Sequence, residues 1–291
     1  MTIKRIPREF KTIPTQVSEE QFNLIVLPHL SKGKRGPHSK LSSFKIFNYI
    51  LKLIHTGVQW YCLPIEKGVN GTAEIHFTRI YKTFQRWVED GSLSKVFRSS
   101  VMFLAENNLL DTSILHGDGT TTAAKKGGDI IGYSGHKHQK GEKIVAIVDR
   151  FANIIAPFVV APANQNESIL FPSAFQGLKT IAKYVGIDLQ DSVMSLDSAY
   201  DSRENRKIIF NNKMIPNIKE NKRNRKKTKR GPKKIYNEDI FQERFCTVER
   251  AFAWEDKFKR LLMRFERISA NHFGMKLIAY AMINLRHFCF T

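Results

Sequence analysis

The spacing of apolar residues changes at Asp111, and this change constrains the fold more than any other feature. Before it, apolar side chains recur every three to four residues, as over 44–54, which is typical of amphipathic helices. After it, short β-rich runs such as 143–148 alternate with turn residues. We therefore predict a small all-helical N-terminal domain over 1–107, followed by an α/β domain over 108–291.

Local signals place the predicted helices of the first domain. Ser18 starts a capping box, a serine whose side chain pairs with the glutamine three residues later. Ser42 precedes a second helix, which Gly57 is placed to end. Thr72 is positioned to cap a third helix, and a fourth is predicted over 94–110.

The second domain reads as strand, hairpin, helix, strand, helix and strand before a helical C-terminus. The predicted elements are a strand over 112–118 that ends in a Gly-Asp-Gly turn, a hairpin of 143–148 with 154–161, a helix over 166–184, a strand over 193–197, a helix through 205–211 and a strand over 214–218. Alternating strands and helices favour an α/β fold with a mixed sheet.

Composition excludes several classes of protein. The 42% hydrophobic content and 21 phenylalanines exclude a wholly disordered chain, and three widely separated cysteines do not form a disulfide framework. Lys and Arg number 47 against 27 Asp and Glu, so the formal net charge is 47 − 27 = +20. Such a charge favours a polyanionic partner, nucleic acid before a membrane surface, although a merely basic soluble protein is the alternative.

Neither a membrane segment nor a secretory signal is predicted. The longest apolar stretch, 144–160, is interrupted by Asp149, Arg150 and Asn153, short of the roughly 20 apolar residues that span a bilayer. The first residues include no apolar core of a signal peptide. We therefore expect a cytoplasmic protein.

The segment 219–234 is strongly basic, with ten Lys or Arg and one Glu in sixteen residues, a local net charge of +9. Such a composition cannot form a core and predicts a solvated loop or arm. Contact with nucleic-acid phosphates is one interpretation, and a flexible linker without a specific role is the other. The candidate DNA-binding residues here are Lys222, Arg223, Arg225, Lys226 and Lys227.

Two acids, Asp118 and Asp197, stand at the carboxyl ends of predicted strands. Ligands collect at this edge of α/β sheets, and converging carboxylates favour a hard cation such as Mg²⁺ or Mn²⁺. Two such ions about 4 Å apart can activate a nucleophile and stabilise the leaving oxygen in phosphoryl transfer. Acids in ordinary turns are the alternative interpretation.

A third acid is expected from the C-terminal helical segment, and Glu249 is the candidate. On a helical wheel it lies near Phe245 and Phe252, but Asp256 faces nearly the same way. The helical wheel therefore permits Glu249 without singling it out. Arg250 beside it is a candidate for phosphate contact or a solvated helix residue.

Five short motifs follow one another along the chain: Thr56–Pro64 in the helical region, His116–Thr122 around the first aspartate, Gly132–Lys143 before the hairpin, Leu196–Ser202 around the second aspartate, and Val248–Trp254 around the glutamate. In these motifs and their order the chain resembles, over nearly its whole length, the bacterial insertion-sequence DDE transposases, whose catalytic domain is RNase H-like. The resemblance implies an RNase H-like mixed sheet flanked by helices.

The resemblance also implies site residues. Asp118, Asp197 and Glu249 match the acidic triad, which in this family binds two divalent metal ions, Mg²⁺ or Mn²⁺. Arg244 and Lys257 match the basic residues near the glutamate that contact DNA ends. Four residues separate Arg244 from Glu249 where the family usually has three, and Lys257 is one position late. Asp201 is the runner-up for the second acid.

The expected function is therefore a transposase that binds the ends of its insertion element and catalyses metal-dependent strand cleavage and strand transfer. Its expected partners are double-stranded DNA and a second protomer in a synaptic homodimer, with no membrane and no small-molecule cofactor. The expected location is the bacterial cytoplasm, in association with the nucleoid. The alternatives are a catalytically decayed DNA-binding relic and a related metal-dependent nuclease without strand transfer.

Overall fold

The computed structural model describes residues 12–33, 41–156, 159–221 and 235–288. The described N-terminal region is helical and contains α1 (Glu19–Gln21), α2 (Ser43–Thr56), α3 (Phe77–Glu89) and α4 (Ser92–Glu106). The Ser18 capping box forms as predicted, and α2 begins after Ser42 and ends at Gly57, whose φ of 76° suits glycine.

The third helix begins later than predicted. Thr72 does not cap it; α3 starts at Phe77, and the side chain of His76 accepts a hydrogen bond from the backbone N–H of Thr78. Residues 66–74 instead form a turn, closed by backbone hydrogen bonds between Gly68 and Thr72 and between Glu74 and Glu66. The cap signal at Thr72 is therefore overridden by this turn.

A seven-stranded mixed sheet forms the centre of the rest of the described chain. Its strands are β1 (Ile114–Ala124), β2 (Gly132–Ser134), β3 (Gln139–Val148), β4 (Val159–Pro162), β5 (Val193–Leu196), β6 (Ile215–Ile218) and β7 (Met263–Arg264). The main order is β2-β3-β1-β5-β6, with β4 beside β3 and β7 beside β1. β1 runs antiparallel to β3 and parallel to β5, and β5 runs parallel to β6.

Four helices accompany the sheet: α5 (Glu167–Val185), α6 (Arg203–Asn211), α7 (Glu238–Glu255) and α8 (Ser269–Leu285). α5 starts where the sequence predicts a helix, and the side chain of Asn166 caps it by accepting the backbone N–H of Ser168. A mixed sheet with helices around it, preceded by a helical region, confirms the predicted RNase H-like α/β class. No helix in the described ranges combines the length and apolar character needed to cross a membrane.

Two strand predictions are wrong. β1 does not end in a Gly-Asp-Gly turn; it is eleven residues long and ends at Ala124, and Asp118 pairs with Ala146 within the ladder to β3. Within the described part of the predicted strand over 154–161, Ile154 forms an isolated bridge and β4 begins at Val159. The turn signal misled because Gly117 is required by packing: a Cβ there would lie 2.5 Å from Cδ2 of Leu196.

The helical region and the sheet share one hydrophobic core. α8 is buried almost along its whole length and packs against α4. Gly274 of α8 lies so close to α3 that a Cβ would stand 2.5 Å from Cγ2 of Val88. The N-terminal helices therefore cover one side of the unit that carries the sheet.

Candidate active site

Asp118 and Asp197 lie together where the pairing of two neighbouring parallel strands ends. The pairing of β1 with β5 ends at His116 and Ser195, and Asp197 directly follows β5. Beyond this point, among the described strands, β1 has no neighbour on that side until β7 pairs with Ala123 and Ala124, and the gap opens a cleft of the kind that holds ligands in α/β folds. Asp118 stands in this cleft, two residues past the last pair.

The cleft contains a pocket with a volume of about 510 Å³. Its wall combines acidic, hydroxyl, amide and basic groups, and its polar lining residues are Asp118, Thr121, Ser134, His136, Lys137, Lys143, Glu167, Asp197, Ser198 and Asn221. The pocket thus contains both predicted aspartates and one glutamate that the sequence analysis did not identify.

Asp118 is held by two donors. Its Oδ1 accepts the backbone N–H of Gly119 at 2.8 Å, and its Oδ2 accepts Nη1 of Arg244 at 2.6 Å. Burial raises the pKa of Asp118 above its ordinary value, Arg244 and the Gly119 N–H oppose that rise, and the nearby charge of Glu167 adds to it. Desolvation therefore favours the neutral form of this carboxyl group, and the Arg244 guanidinium favours its charged form.

Arg244 is buried, with only 2% of its side chain exposed. Its guanidinium lies over the rings of Phe241 and Phe245, with centroid distances of 5.3 and 4.6 Å. α7 therefore delivers a pre-positioned cation to Asp118. Contact of Arg244 with DNA requires this pair with Asp118 to open.

Asp197 accepts the backbone N–H of Ser198 at 2.6 Å and begins a short 3₁₀ turn over 198–200. Asp201, the runner-up, has other contacts: Oδ1 accepts Nε of Arg206 at 2.9 Å and Oδ2 accepts the backbone N–H of Asn221 at 3.0 Å. These contacts anchor the turn to α6, and Asp197 is the acid of this run that lines the pocket.

The remaining predicted residues lie outside the pocket. Glu249 is exposed on α7, Arg250 follows it half-buried, and Lys257 is exposed just after the helix. The side of α7 that meets β1 instead carries Glu243, whose carboxylate accepts two hydrogen bonds from Arg150. The five basic residues predicted from Lys222 to Lys227 lie outside the described residues.

Glu167 is the pocket residue that sequence reasoning missed. It is the first residue of α5, and its Oε1 lies 3.1 Å from Nζ of Lys143. The signal available in the sequence was an acid at a capped helix start after a strand, which the macrodipole alone explains. Only the fold brings Glu167 beside Asp118, 49 residues earlier.

The chemistry of the pocket fits a hard divalent cation, since its acidic and hydroxyl groups present oxygen donors. Within the described ranges, no three His, Cys, Asp or Glu side chains converge closely enough to hold a metal ion. Arg244 and Lys143 are instead paired with Asp118 and Glu167. Metal binding here requires these pairs to loosen.

Comparison with protein families gives one match. A family model described as a transposase DDE domain matches residues 108–285, which is more than half of the chain. A search of curated proteins found no match. The matched region contains every strand of the sheet and the pocket with Asp118 and Asp197.

Proposed function

Because this chain belongs to the family of transposases with a DDE domain, we propose that it binds the ends of its insertion element and catalyses metal-dependent DNA cleavage and strand transfer. The observation that carries this proposal is that Asp118 and Asp197 line one pocket, beside the point where the pairing of β1 with β5 ends. Carboxylates at this edge suit the in-line displacement of a phosphodiester oxygen.

Asp118 and Asp197 hold the metal ions in this proposal, and Glu249 is the third acid that the family resemblance assigns. Two Mg²⁺ or Mn²⁺ ions would lower the pKa of an attacking water or 3′-hydroxyl and offset charge on the leaving oxygen. The protein's own contribution is position: β1 and β5 fix the two aspartates, and the Ser198 N–H orients Asp197. For Glu249 to join them, α7 has to turn or shift, since this side chain is exposed outside the pocket.

The basic residues bind the DNA backbone in this proposal. Lys137 and Lys143 line the pocket itself and are placed to meet phosphates next to the scissile bond. Arg244, Arg250 and Lys257 on and after α7 are proposed to contact the element end, together with the basic run of 219–234. Such contacts position DNA without reading its sequence, and they weaken steeply with salt.

We propose that two regions of the chain have different roles. The helical region of 1–107 binds the element end or a second protomer, and 108–291 carries the chemistry. Two DNA ends have to be held together for strand transfer, so the working form is a homodimer in the synaptic complex. The proposed place of action is the cytoplasm, at the nucleoid, where the DNA substrate is.

The test uses DNA that carries the segments flanking the gene, incubated with protein and Mg²⁺ or Mn²⁺. The wild type is expected to make nicks at fixed positions and then joined products, while Asp118→Asn makes neither and still binds DNA. Asp188→Asn, an exposed acid outside the pocket, is the matched control and should keep wild-type activity. Cleavage by Asp118→Asn would mean that the active site lies elsewhere.

Two other outcomes correspond to the alternative functions. Tight binding without cleavage in either metal indicates a decayed relic, which the exposed position of Glu249 and the Arg244–Asp118 pair favour. Cleavage without any joined product indicates a nuclease that does not transfer strands.

A further inference from the structure

The carboxylate of Glu167 packs directly against the strand that carries Asp118. A Cβ placed on Gly119 would lie 2.6 Å from Cδ and 2.8 Å from Oε1 of Glu167. At such distances a Cβ would force the Glu167 side chain to move, so the glycine next to Asp118 leaves room for this carboxylate. Glu167 thus shares the pocket with Asp118 and Asp197 as a closely packed neighbour.

A buried hydroxyl group belongs to the same cluster. Tyr200 is 0% exposed, its ring packs edge-on against Phe171 of α5, and its hydroxyl has no hydrogen-bond partner within the described part of the chain. The hydroxyl interacts electrostatically with Glu167, Asp118 and Asp197. A buried hydroxyl without a partner is unfavourable, so its presence beside three carboxylates points to a bound group that it contacts.

The charges of the cluster indicate what kind of group this is. Three carboxylates in one pocket repel each other unless cations offset them. Arg244 pairs with Asp118, and Lys143 pairs with Glu167 while also donating to the backbone oxygen of Gln165 at 3.0 Å. A divalent cation supplies more charge at shorter range than either side chain, and oxygen donors are the ligands that Mg²⁺ and Mn²⁺ prefer.

We infer that Glu167 is a further metal-binding carboxylate of this site, in exchange for its ion pair with Lys143, and that the Tyr200 hydroxyl contacts the group bound there. The inference rests on the proposed function, because it adds a ligand to the same metal site. A third carboxylate oxygen donor on the wall of this pocket suits a hard divalent cation.

Binding of Mn²⁺ to the full-length protein tests this directly, with calorimetry or the paramagnetic resonance signal of free Mn²⁺ as the readout. Glu167→Gln is expected to raise the Kd for Mn²⁺ at least tenfold. Glu204→Gln is the matched control, because Glu204 is an exposed acid in the first turn of α6, and it should leave the Kd unchanged. An unchanged Kd in Glu167→Gln overturns the inference.

Variants of Lys143 test whether Glu167 is a metal ligand or only a counter-ion of Lys143. Lys143→Gln should tighten Mn²⁺ binding, because the ion no longer competes with the ammonium for Glu167. If Glu167 is a ligand, the double variant Glu167→Gln with Lys143→Gln binds as weakly as Glu167→Gln alone. Recovery of the wild-type Kd in the double variant would mean that Glu167 only neutralises Lys143, and the inference would be wrong.

Two further variants separate the possible failures. Glu167→Asp keeps the charge at the start of α5 but shortens the side chain, so a folded protein with weakened Mn²⁺ binding supports the inference even if Glu167→Gln is unstable. Asp118→Asn should abolish binding at the same site. If Asp118→Asn and wild type bind Mn²⁺ alike, the proposed function fails; if only Glu167→Gln and Glu167→Asp match the wild type, this inference alone fails.

Discussion

Replacing Arg264 by Met should strongly destabilise the protein, because this residue neutralises a fully buried carboxylate. Arg264 and Glu142 are both 0% exposed, and Nη1 donates to Oε2 at 2.7 Å. Arg264 also donates to Asp129 at 2.6 Å and to the backbone oxygens of Glu266 and Arg267 at 2.9 and 3.0 Å. The substitution removes all four contacts and leaves Glu142 buried.

The expected cost follows from what remains around Glu142. Ser269 Oγ still lies 3.3 Å from Oε2, and Lys276 still contributes a favourable charge, so the carboxylate is not wholly isolated. Removing one partner of a buried ion pair typically costs about 3–5 kcal/mol. Burial already raises the pKa of Glu142, and Arg264 opposes that rise, so the variant should raise it further.

The assay is urea unfolding with linear extrapolation, at pH 5 and at pH 8. A raised folded-state pKa means that the protonated form is favoured in the folded protein, so the variant loses stability as the pH rises through that pKa. The destabilisation by Arg264→Met should therefore be larger at pH 8 than at pH 5. Adding Glu142→Gln should recover part of the loss. A cost below about 1 kcal/mol, or a double variant that shows the full sum of both single losses, would refute the reasoning.

Three further predictions concern other parts of the chain. Burial raises the pKa of Glu243, but contacts with His116 and Arg150 outweigh it and lower the pKa to about 2. The stability that Glu243 contributes is therefore present above its unfolded pKa and is lost as the pH falls toward 2, so Glu243→Gln should reduce the loss of unfolding free energy in acid by about 1–2 kcal/mol. An unchanged loss in unfolding titrations would contradict this prediction. Gly119→Ala should displace the Glu167 side chain and raise the Kd for Mn²⁺ at least threefold, while the thermal unfolding temperature changes little because only a flexible side chain has to move. A Kd equal to that of the wild type would mean that the packing of Glu167 against Gly119 has no role in Mn²⁺ binding. Deletion of 219–234 should reduce the slope of log DNA affinity against log salt by several units, since up to ten basic residues are lost; an equal slope in fluorescence anisotropy titrations would exclude the segment from the interface.

Local signals in the sequence were sufficient for elements that carry their own boundary residues. Ser42 marks the start and Gly57 the end of α2, and Asn166 marks the start of α5, as predicted. β5 is also found where a short apolar run ends in Asp197. In each case the information lies within a few residues of the element, so no tertiary contact is needed to identify it.

The course of β1 could not be predicted in the same way. Glycines beside an aspartate are typical of a turn, but here Gly117 and Gly119 make room for Leu196 and for Glu167. Both neighbours lie about 50 to 80 residues further along the chain. The position of Glu167 in the pocket was missed for the same reason, because only the packing of α5 against β3 brings it there.

The candidate site was predictable in part. The sequence identifies Asp118 and Asp197, and the fold places both in one pocket. The roles of Glu249, Arg250 and Lys257 stay predictions, since their side chains lie on α7 or just after it and outside that pocket. A helical wheel describes one helix, whereas the rotation of α7 against the sheet depends on contacts such as Arg244 with Asp118.

The unbroken length of β1 has a consequence for which changes of chain length the protein can accept. Alternate residues of a strand face the same side of the sheet. On one side of β1, His116 lies near Glu243 of α7, Asp118 accepts a hydrogen bond from Arg244 of α7, and Thr122 accepts one from Lys276 of α8. Inserting or deleting one residue within 114–124 would move every later side chain to the opposite face. Relatives of this chain should therefore differ in length in the loops but keep eleven residues between Ser113 and Lys125, so β1 can serve as a gap-free segment when such relatives are aligned.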